Sequence, residues 1–275
     1  MRRLLLGVLA LALAACGNGD QTADSATGGR LEITGSSTLA PLIAEIGARF
    51  EAAHPDARIA VQTGGSSRGI SDAAEGLADI GMSSRELTET EQRRLRQHRI
   101  GVDGIAVILH RDNPVDRLSR EQLVALFTGG VDNWQEVGGA DRAVTVVDKA
   151  DGRATLTEFL RFFDLPREAI AAHLIIGDNQ HGIRSVAGNP GAIGYVSVGA
   201  GTVEAERGTA IRLVAIDEQW PTLETVRNGD YALTRDLILV SGAEPSALTL
   251  AFIDFVRDAA VHDLYADFGY VPAAE

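Results

Sequence analysis

Thr34-Gly35-Ser36-Ser37-Thr38-Leu39-Ala40-Pro41 decides how this chain is read. A short apolar strand, 31–33, runs into it. Leu39, Leu42, Ile43, Ile46 and Phe50 leave it at i, i+3, i+4, i+7 and i+11, one face of a helix. Proline is tolerated only in a helix's first turn, so Pro41 sets the start near Ser37 or Thr38. Strand, Gly-Ser turn and helix start together leave unpaired backbone N–H groups and a positive dipole end facing one point, which suits an anion. A plain N-cap after a βα turn reads the same way in isolation. The chain, however, repeats the device. A strand at 57–62 leads into Gly64-Gly65-Ser66-Ser67-Arg68-Gly69 and a helix over 70–77. A buried strand at 144–147 leads into Asp148-Lys149-Ala150-Asp151-Gly152-Arg153-Ala154-Thr155, and Leu156, Phe159, Leu160 and Phe163 line one face of the next helix.

Outward from these loops, the rest of the chain alternates. Strands are expected at 78–82, 104–110, 192–198 and 237–241, and helices at 86–97, 120–127, 180–187, 248–258 and 261–268. Alternation of this kind gives an α/β class with mainly parallel sheets, whose ligands bind beyond the carboxyl ends of strands. The three loops lie there. With 275 residues, 45% of them hydrophobic, one large domain or two small ones can bury a core. Net charge is −13, which argues against nucleic acid and against an anionic membrane surface as partners, but not against a small anion held by local dipoles.

Residues 1–15 have the features of a signal peptide, with Arg2 and Arg3 ahead of an apolar run too short to span a bilayer. Leu13-Ala14-Ala15-Cys16 resembles a bacterial lipobox, in which the cysteine is lipidated. Cys16 is the only cysteine, so an intramolecular disulfide is ruled out. Residues 16–30 are then a lipidated anchor and a polar, flexible tether.

Several segments together resemble the PstS-like phosphate-binding proteins of bacterial ABC importers, a branch of the periplasmic binding proteins. Gly35 to Leu42, Gly64 to Ile70 and Asp79 to Arg85 are similar to that family's first three ligand loops. Leu126-Phe127-Thr128-Gly129 with Asn133-Trp134, Ala192-Ile193-Gly194-Tyr195-Val196, Tyr231-Ala232-Leu233-Thr234-Arg235 and Phe268-Gly269-Tyr270-Val271-Pro272 follow in the family's order. The resemblance implies two α/β lobes, each a mainly parallel sheet flanked by helices, with ligand in the cleft between them. Lobe I would comprise 31–103 and 238–275, and lobe II 104–237. It also implies no enzymatic activity and no cofactor or metal. The partners would be inorganic phosphate and an ABC permease, with contact to a membrane through the lipid alone, outside the cytoplasm and as a monomer.

Carried over residue by residue, the resemblance puts Ser37, Thr38, Ser66 and Thr155 on anion-binding positions. Lys149 stands where the family often has arginine, with Asp151 in the place of its orienting partner. Arg153 and Ala154 replace a serine and a glycine. Ser84 stands where the best-known members have an aspartate. A buried carboxylate accepts the proton that phosphate carries near neutral pH and repels a fully ionised oxyanion, whereas serine donates to either. Selectivity for phosphate over other tetrahedral oxyanions is therefore expected to be weaker. A sensory or scaffolding lipoprotein of the same fold would show the same residues.

Gly65-Ser66-Ser67-Arg68-Gly69 also fits the Gly-x-Ser-x-Gly elbow of a serine hydrolase, with Ser67 as nucleophile and His262 as base. Against that reading, His262 falls in an expected helix and two further anion-type loops go unused. None of the six histidines has metal-ligand spacing; His181 alone is placed near the cleft. Asp79 reads as a structural carboxylate, Trp134 and Trp220 as packing residues, and Arg93-Arg94-Leu95-Arg96 as a solvated face.

Overall fold

A computed structural model describes residues 28–273. Cys16, the leader and the start of the tether lie outside the described residues. In chain order the strands are β1 (Gly29–Gly35), β2 (Ala57–Thr63), β3 (Ile80–Ser83), β4 (Arg96–His110), β5 (Arg117–Leu118), β6 (Thr145–Lys149), β7 (Leu174–Ile176), β8 (Ala192–Ser197), β9 (Ile211–Ile216), β10 (Thr234–Ser241) and β11 (Val271–Pro272). The helices are α1 (Ala40–Ala53), α2 (Ser66–Ala74), α3 (Glu89–Gln92), α4 (Arg120–Thr128), α5 (Ala154–Phe163), α6 (Asn179–Ala187), α7 (Val198–Glu206), α8 (Leu223–Asn228), α9 (Ala247–Arg257) and α10 (His262–Asp267).

The fold is α/β and two-lobed. In one sheet β1 lies between β2 and β3, all parallel, with Leu31 beside Ile59 and Ile33 beside Ile80. Its core joins Leu31, Ile33, Leu42, Ile46 and Phe50 from the start of the chain to Leu239, Phe252 and Tyr265 from its end. Phe50 meets Phe252 edge-on at 5.3 Å. In the other sheet β6 lies between β7 and β8, again parallel. There Phe159 stacks on Tyr195 at 4.1 Å, within a core that includes Val107, Leu123 and Phe127.

Every antiparallel ladder involves β4 or β10, the two strands that tie the lobes together. β4 changes partners along its length. Arg96 to Gly104 pair with β10, and from Ile105 onward the strand pairs with β8 and β9. The register sets Arg235 of β10 directly opposite Asp103 of β4.

Four elements differ from the sequence expectation. α2 starts at Ser66, ahead of the helix expected over 70–77, with Gly65 at its N-cap. α1 starts at Ala40, since Pro41 occupies the first helical positions and Ser37 to Leu39 form a turn ahead of them. The helix expected over 86–97 is a single turn, α3, closed by a Thr88–Glu91 capping box. The residues after it belong to β4, which is longer than its apolar half. Its first half lies in a sheet with polar residues on the solvent side, so no continuous apolar run marks it. Among the described residues no helix is long and apolar enough to cross a membrane.

Candidate functional site

Three chain segments leave a strand's carboxyl end, turn, and enter a helix at one place between the lobes. β1 leads through Ser36 to Leu39 into α1, β2 through Gly64 and Gly65 into α2, and β6 through 150–153 into α5. The Gly64 and Gly65 amides donate to Gly35 O at 3.0 and 2.9 Å, pinning the second loop onto the first. Gly65 has φ +94°, and a Cβ there would stand 2.7 Å from Gly152 O of the opposite lobe. Only glycine gives that conformation and that closeness of backbones. The Ser67 amide reaches Gly152 O at 3.4 Å, so the lobes touch across the cleft. None of the three helix starts is capped by a side chain: Leu39, Gly65 and Arg153 hold the N-cap positions of α1, α2 and α5. The first-turn amides of α5, Ala154 and Thr155, have no backbone acceptor among the described residues.

The polar side chains around these starts form one hydrogen-bonded chain. Ser84, just past β3, donates its amide to Ser66 Oγ at 3.1 Å, and its hydroxyl meets Ser36 Oγ at 3.0 Å. Ser36 Oγ also accepts from the Thr38 amide at 3.2 Å. Arg235 then joins the lobes. Its guanidinium donates to Thr38 Oγ1 at 3.0 Å and to Thr155 Oγ1 at 2.8 Å, while Asp103 Oδ2 accepts from it at 2.7 and 3.0 Å. Ser197 donates to the remaining Asp103 oxygen at 2.9 Å. Arg235 and Asp103 are both fully buried. Burial pushes the Asp103 carboxyl up, and Arg235 opposes that. The pair is the cross-strand contact of the two crossing strands, and removing one partner leaves a buried charge uncompensated, a loss of about 3–5 kcal/mol.

Lys149 closes the ring from β6. Its Nζ donates to Asn179 Oδ1 at 3.0 Å, and Asn179 Nδ2 reaches Thr38 Oγ1 at 3.5 Å. Burial first, then the nearby Arg235, pushes the Lys149 ammonium down to about 7; Asp178 opposes this and Arg153 adds to it. A second charge in an occupied site would reverse that shift, because an anion beside a buried ammonium favours its charged form.

Thr38, Ser66, Ser84, Lys149 and Thr155 therefore come together as expected from sequence. Four other residues sit differently. Asp151 does not orient Lys149: it is exposed and accepts from Arg167 Nε at 2.8 Å, while Asn179 holds the lysine. Arg167 also pairs with buried Asp148, whose other oxygen accepts from Tyr195. Ser37 is half-buried on the cavity wall, and it is Ser36 that enters the network. Arg153 is half-buried against Gly65 and Gly177, and Ala154 contributes its buried place in the first turn of α5. Arg235, Asp103, Asn179 and Ser36 are not among the residues expected from sequence. Asp103 and Arg235 fall just outside the apolar runs at 104–110 and 237–241, so their strand pairing has no local signal.

Beside the network a cavity of about 570 Å³ opens between α1 and α10 on one side and α6 and α7 on the other. Thr38 and Asn179 are part of both its wall and the network. The serine hydrolase reading does not survive. Ser67 lies exposed in the first turn of α2, and the His262 ring lies edge-on to Tyr265 at 6.0 Å, with no bond to Ser67. His181 contributes its amide to Asp178, capping α6. Asp79 is structural, accepting from the Glu32 amide at 2.8 Å. Trp134 is buried with its Nε1 on Gly191 O, whereas Trp220 is exposed.

The profile of the PBP superfamily domain matches residues 20–259. The chain is 30% identical to the phosphate-binding protein PstS of Bacillus subtilis, over 99% of this chain and 93% of that one. It is 25% identical to PstS of Borreliella burgdorferi, over 88% and 89%. A Clostridium perfringens protein, described as a phosphate ABC transporter substrate-binding protein and solved with phosphate bound, superposes with a TM-score of 0.83 at 30% identity, over 90% of this chain and all of that one. An ABC-type phosphate transport receptor from Vibrio cholerae gives 0.72 at 29% identity, over 88% and 99%. These relatives are binding proteins of transport and not enzymes. With a superfamily profile across most of its length and a PstS relative across nearly all of it, the chain belongs to the periplasmic binding proteins, in their PstS-like branch.

Proposed function

We propose that this protein captures inorganic phosphate between its lobes and delivers it to an ABC permease. The observation that carries the reading is the meeting of three uncapped helix starts, from both lobes, around one buried network of hydroxyls and cations. Backbone amides at helix starts and charge-assisted hydrogen bonds are the usual means of holding an oxyanion. Thr38, Ser66, Ser84 and Thr155 supply hydroxyls, and Ser37 stands at the rim. Lys149 and Arg153 supply charge, and Ala154 and Thr155 supply amides. The PstS relatives and the phosphate-bound Clostridium perfringens structure support phosphate as the ligand.

The lobes are taken as 31–103 with 238–275, and 104–237. The change of β4 partners at Gly104–Ile105 supports that division. The signal peptide at 1–15 and lipidation of Cys16 would keep a monomer at the outer side of a membrane. A Cys16→Ala variant should then be released from the membrane fraction. A sensory partner in place of a permease would use the same site.

Calorimetric titration of the ligand-stripped protein with phosphate at neutral pH tests the core of this. One-to-one binding is expected, weakened about a hundredfold by Lys149→Ala, the scale of one charge-assisted hydrogen bond. Absence of phosphate binding, or an unchanged affinity in Lys149→Ala, would sink the ligand or the lysine's role respectively.

A further inference from the structure

Each polar atom of Thr38, in the first loop, is held by a different part of the chain. Its amide donates to Ser36 Oγ at 3.2 Å. Its hydroxyl accepts from Arg235 of β10 at 3.0 Å and from Asn179 of α6 at 3.5 Å. Its carbonyl oxygen accepts from the Tyr270 hydroxyl at 2.8 Å. No backbone amide among the described residues donates to that oxygen. Tyr270 lies 232 residues further along the chain and is 3% exposed. A carbonyl left without a donor at a buried helix entry is costly, so the phenol decides where this one points.

The turn that ends α10 sets the place of Tyr270. The Gly269 amide donates to Ala266 O at 3.0 Å and the Tyr270 amide to Tyr265 O at 2.8 Å, with Gly269 at φ +69°. Val271 and Pro272 then pair with Val102 and Gly101 of β4. The other side of the turn lies against the first turn of α7, in the opposite lobe. A Cβ at Gly199 would stand 2.1 Å from Phe268 O, and one at Gly269 would stand 2.5 Å from Gly199 Cα. Two backbones meet there with no side chain between them, so α7 cannot move toward the turn without moving it. The start of α7 also reaches Thr38 by a second route. Its N-cap, Ser197, donates to Asp103, Asp103 holds Arg235, and Arg235 donates to Thr38 Oγ1.

We propose that Tyr270 is a positioning residue of the ligand site, acting through the Thr38 carbonyl, and that the contact of Gly199 with the turn at 268–269 makes this hold depend on how the lobes sit. The inference rests on the site being a phosphate site. Closing the lobes presses α7 onto the turn, the turn seats the phenol, and the phenol sets the loop from which α1 starts. The hydroxyl therefore favours the closed, loaded form over the open one, and its loss is read as affinity. A bond kept equally in free and loaded protein would contribute to stability alone.

Calorimetric titration with phosphate, together with chemical denaturation of the ligand-stripped protein, tests it on Tyr270→Phe, Gly199→Ala and the double variant. Tyr270→Phe keeps the ring and is expected to weaken phosphate about tenfold, the scale of one buried hydrogen bond. Tyr265→Phe is its counterpart. That hydroxyl donates to Val256 O at 3.0 Å within the same core, and its loss should lower stability and leave affinity as it was. Gly199→Ala is expected to weaken phosphate about tenfold or more, and small-angle scattering of the phosphate-saturated variant should give a larger radius of gyration than wild type. The double variant should lose less than the product of the two single losses, because both act on one hold. Tyr270→Phe with unchanged phosphate affinity overturns the proposal and leaves the phosphate reading standing, and losses that multiply in the double variant overturn the link to α7. Tyr270→Phe against Tyr265→Phe decides the matter even where Gly199→Ala does not fold. Wild-type protein silent to phosphate overturns both the proposal and the phosphate reading.

Discussion

The helix starts of this molecule fall into two groups. α3, α4, α6, α7, α8 and α9 begin under a Thr, Ser or Asp whose side chain accepts from a first-turn amide. α1, α2 and α5 begin at Leu39, Gly65 and Arg153 and have no such cap. Among the described helices only α10, which continues a 3-10 turn, shares that lack. A cap is worth about 1 kcal/mol, and three of them have been left out at the one place where three loops converge. The difference teaches where the chain spends side chains on its own dipoles. At the capped starts a side chain answers the first-turn amides; at the open ones backbone carbonyls take the Ala40 and Ser67 amides, and Ala154 and Thr155 of α5 have no backbone acceptor among the described residues.

Putting a cap where there is none should break the contrast most severely. Arg153 has the extended backbone of an N-cap residue, so Arg153→Asp would close α5 with a carboxylate. Phosphate affinity is expected to fall about a thousandfold, since a like charge across a dry contact costs several kcal/mol. Thermal stability should hold or rise. Unchanged affinity would show that the α5 amides take no part.

A smaller effect concerns the ammonium that serves the open starts. Lys149 has its folded value lowered from 10.5 to about 7, so its charged form is disfavoured by folding. Between those values the unfolded chain holds a proton that the folded chain has released. Stability of the ligand-free protein should therefore climb with pH from about 7 toward 10.5, by at most about 1.4 kcal/mol per unit from this group. Below about 7 both states are protonated and the penalty is constant. Chemical denaturation across that range should lose this slope in Lys149→Met.

The smallest effect lies on the capped side. Ser246 accepts from the Thr249 amide at 3.0 Å at the start of α9. Ser246→Ala should cost about 1 kcal/mol of stability and leave phosphate affinity untouched. A change in affinity would mean that the two groups are not independent.

Much of this was legible in the chain. The three loops and their flanking strands follow from apolar runs and glycine-serine turns, which are local signals. What was not legible depends on register. Arg235 and Asp103 lie 132 residues apart, and only the pairing of β10 with β4 sets them face to face. Asn179 takes the role expected of Asp151 because burial keeps the lysine's partner neutral, while Asp151 remains at the surface with Arg167. α1 starts at Ala40, after the Ser37 or Thr38 expected, and Ser36 in the turn ahead of it joins the network while Ser37, carried over from the family resemblance, lines the cavity. Sequence periodicity locates a helix, and its first turn is decided by φ and ψ that periodicity does not report.

The core that gathers Leu31 and Phe50 also needs Leu239, Phe252 and Tyr265, so the first-made part of the chain is completed last. During synthesis or threading through a pore, residues 28–100 have α1 to cover one face of their strands and lack the cover that β10, α9 and α10 bring. The middle segment, with β6, β7 and β8 close in sequence, can settle earlier. A growing chain thus stays unsettled at its leading end until its final helices are delivered. Chains stopped short of residue 237 should be cut by protease throughout residues 28–100, whereas the finished protein should resist as a unit.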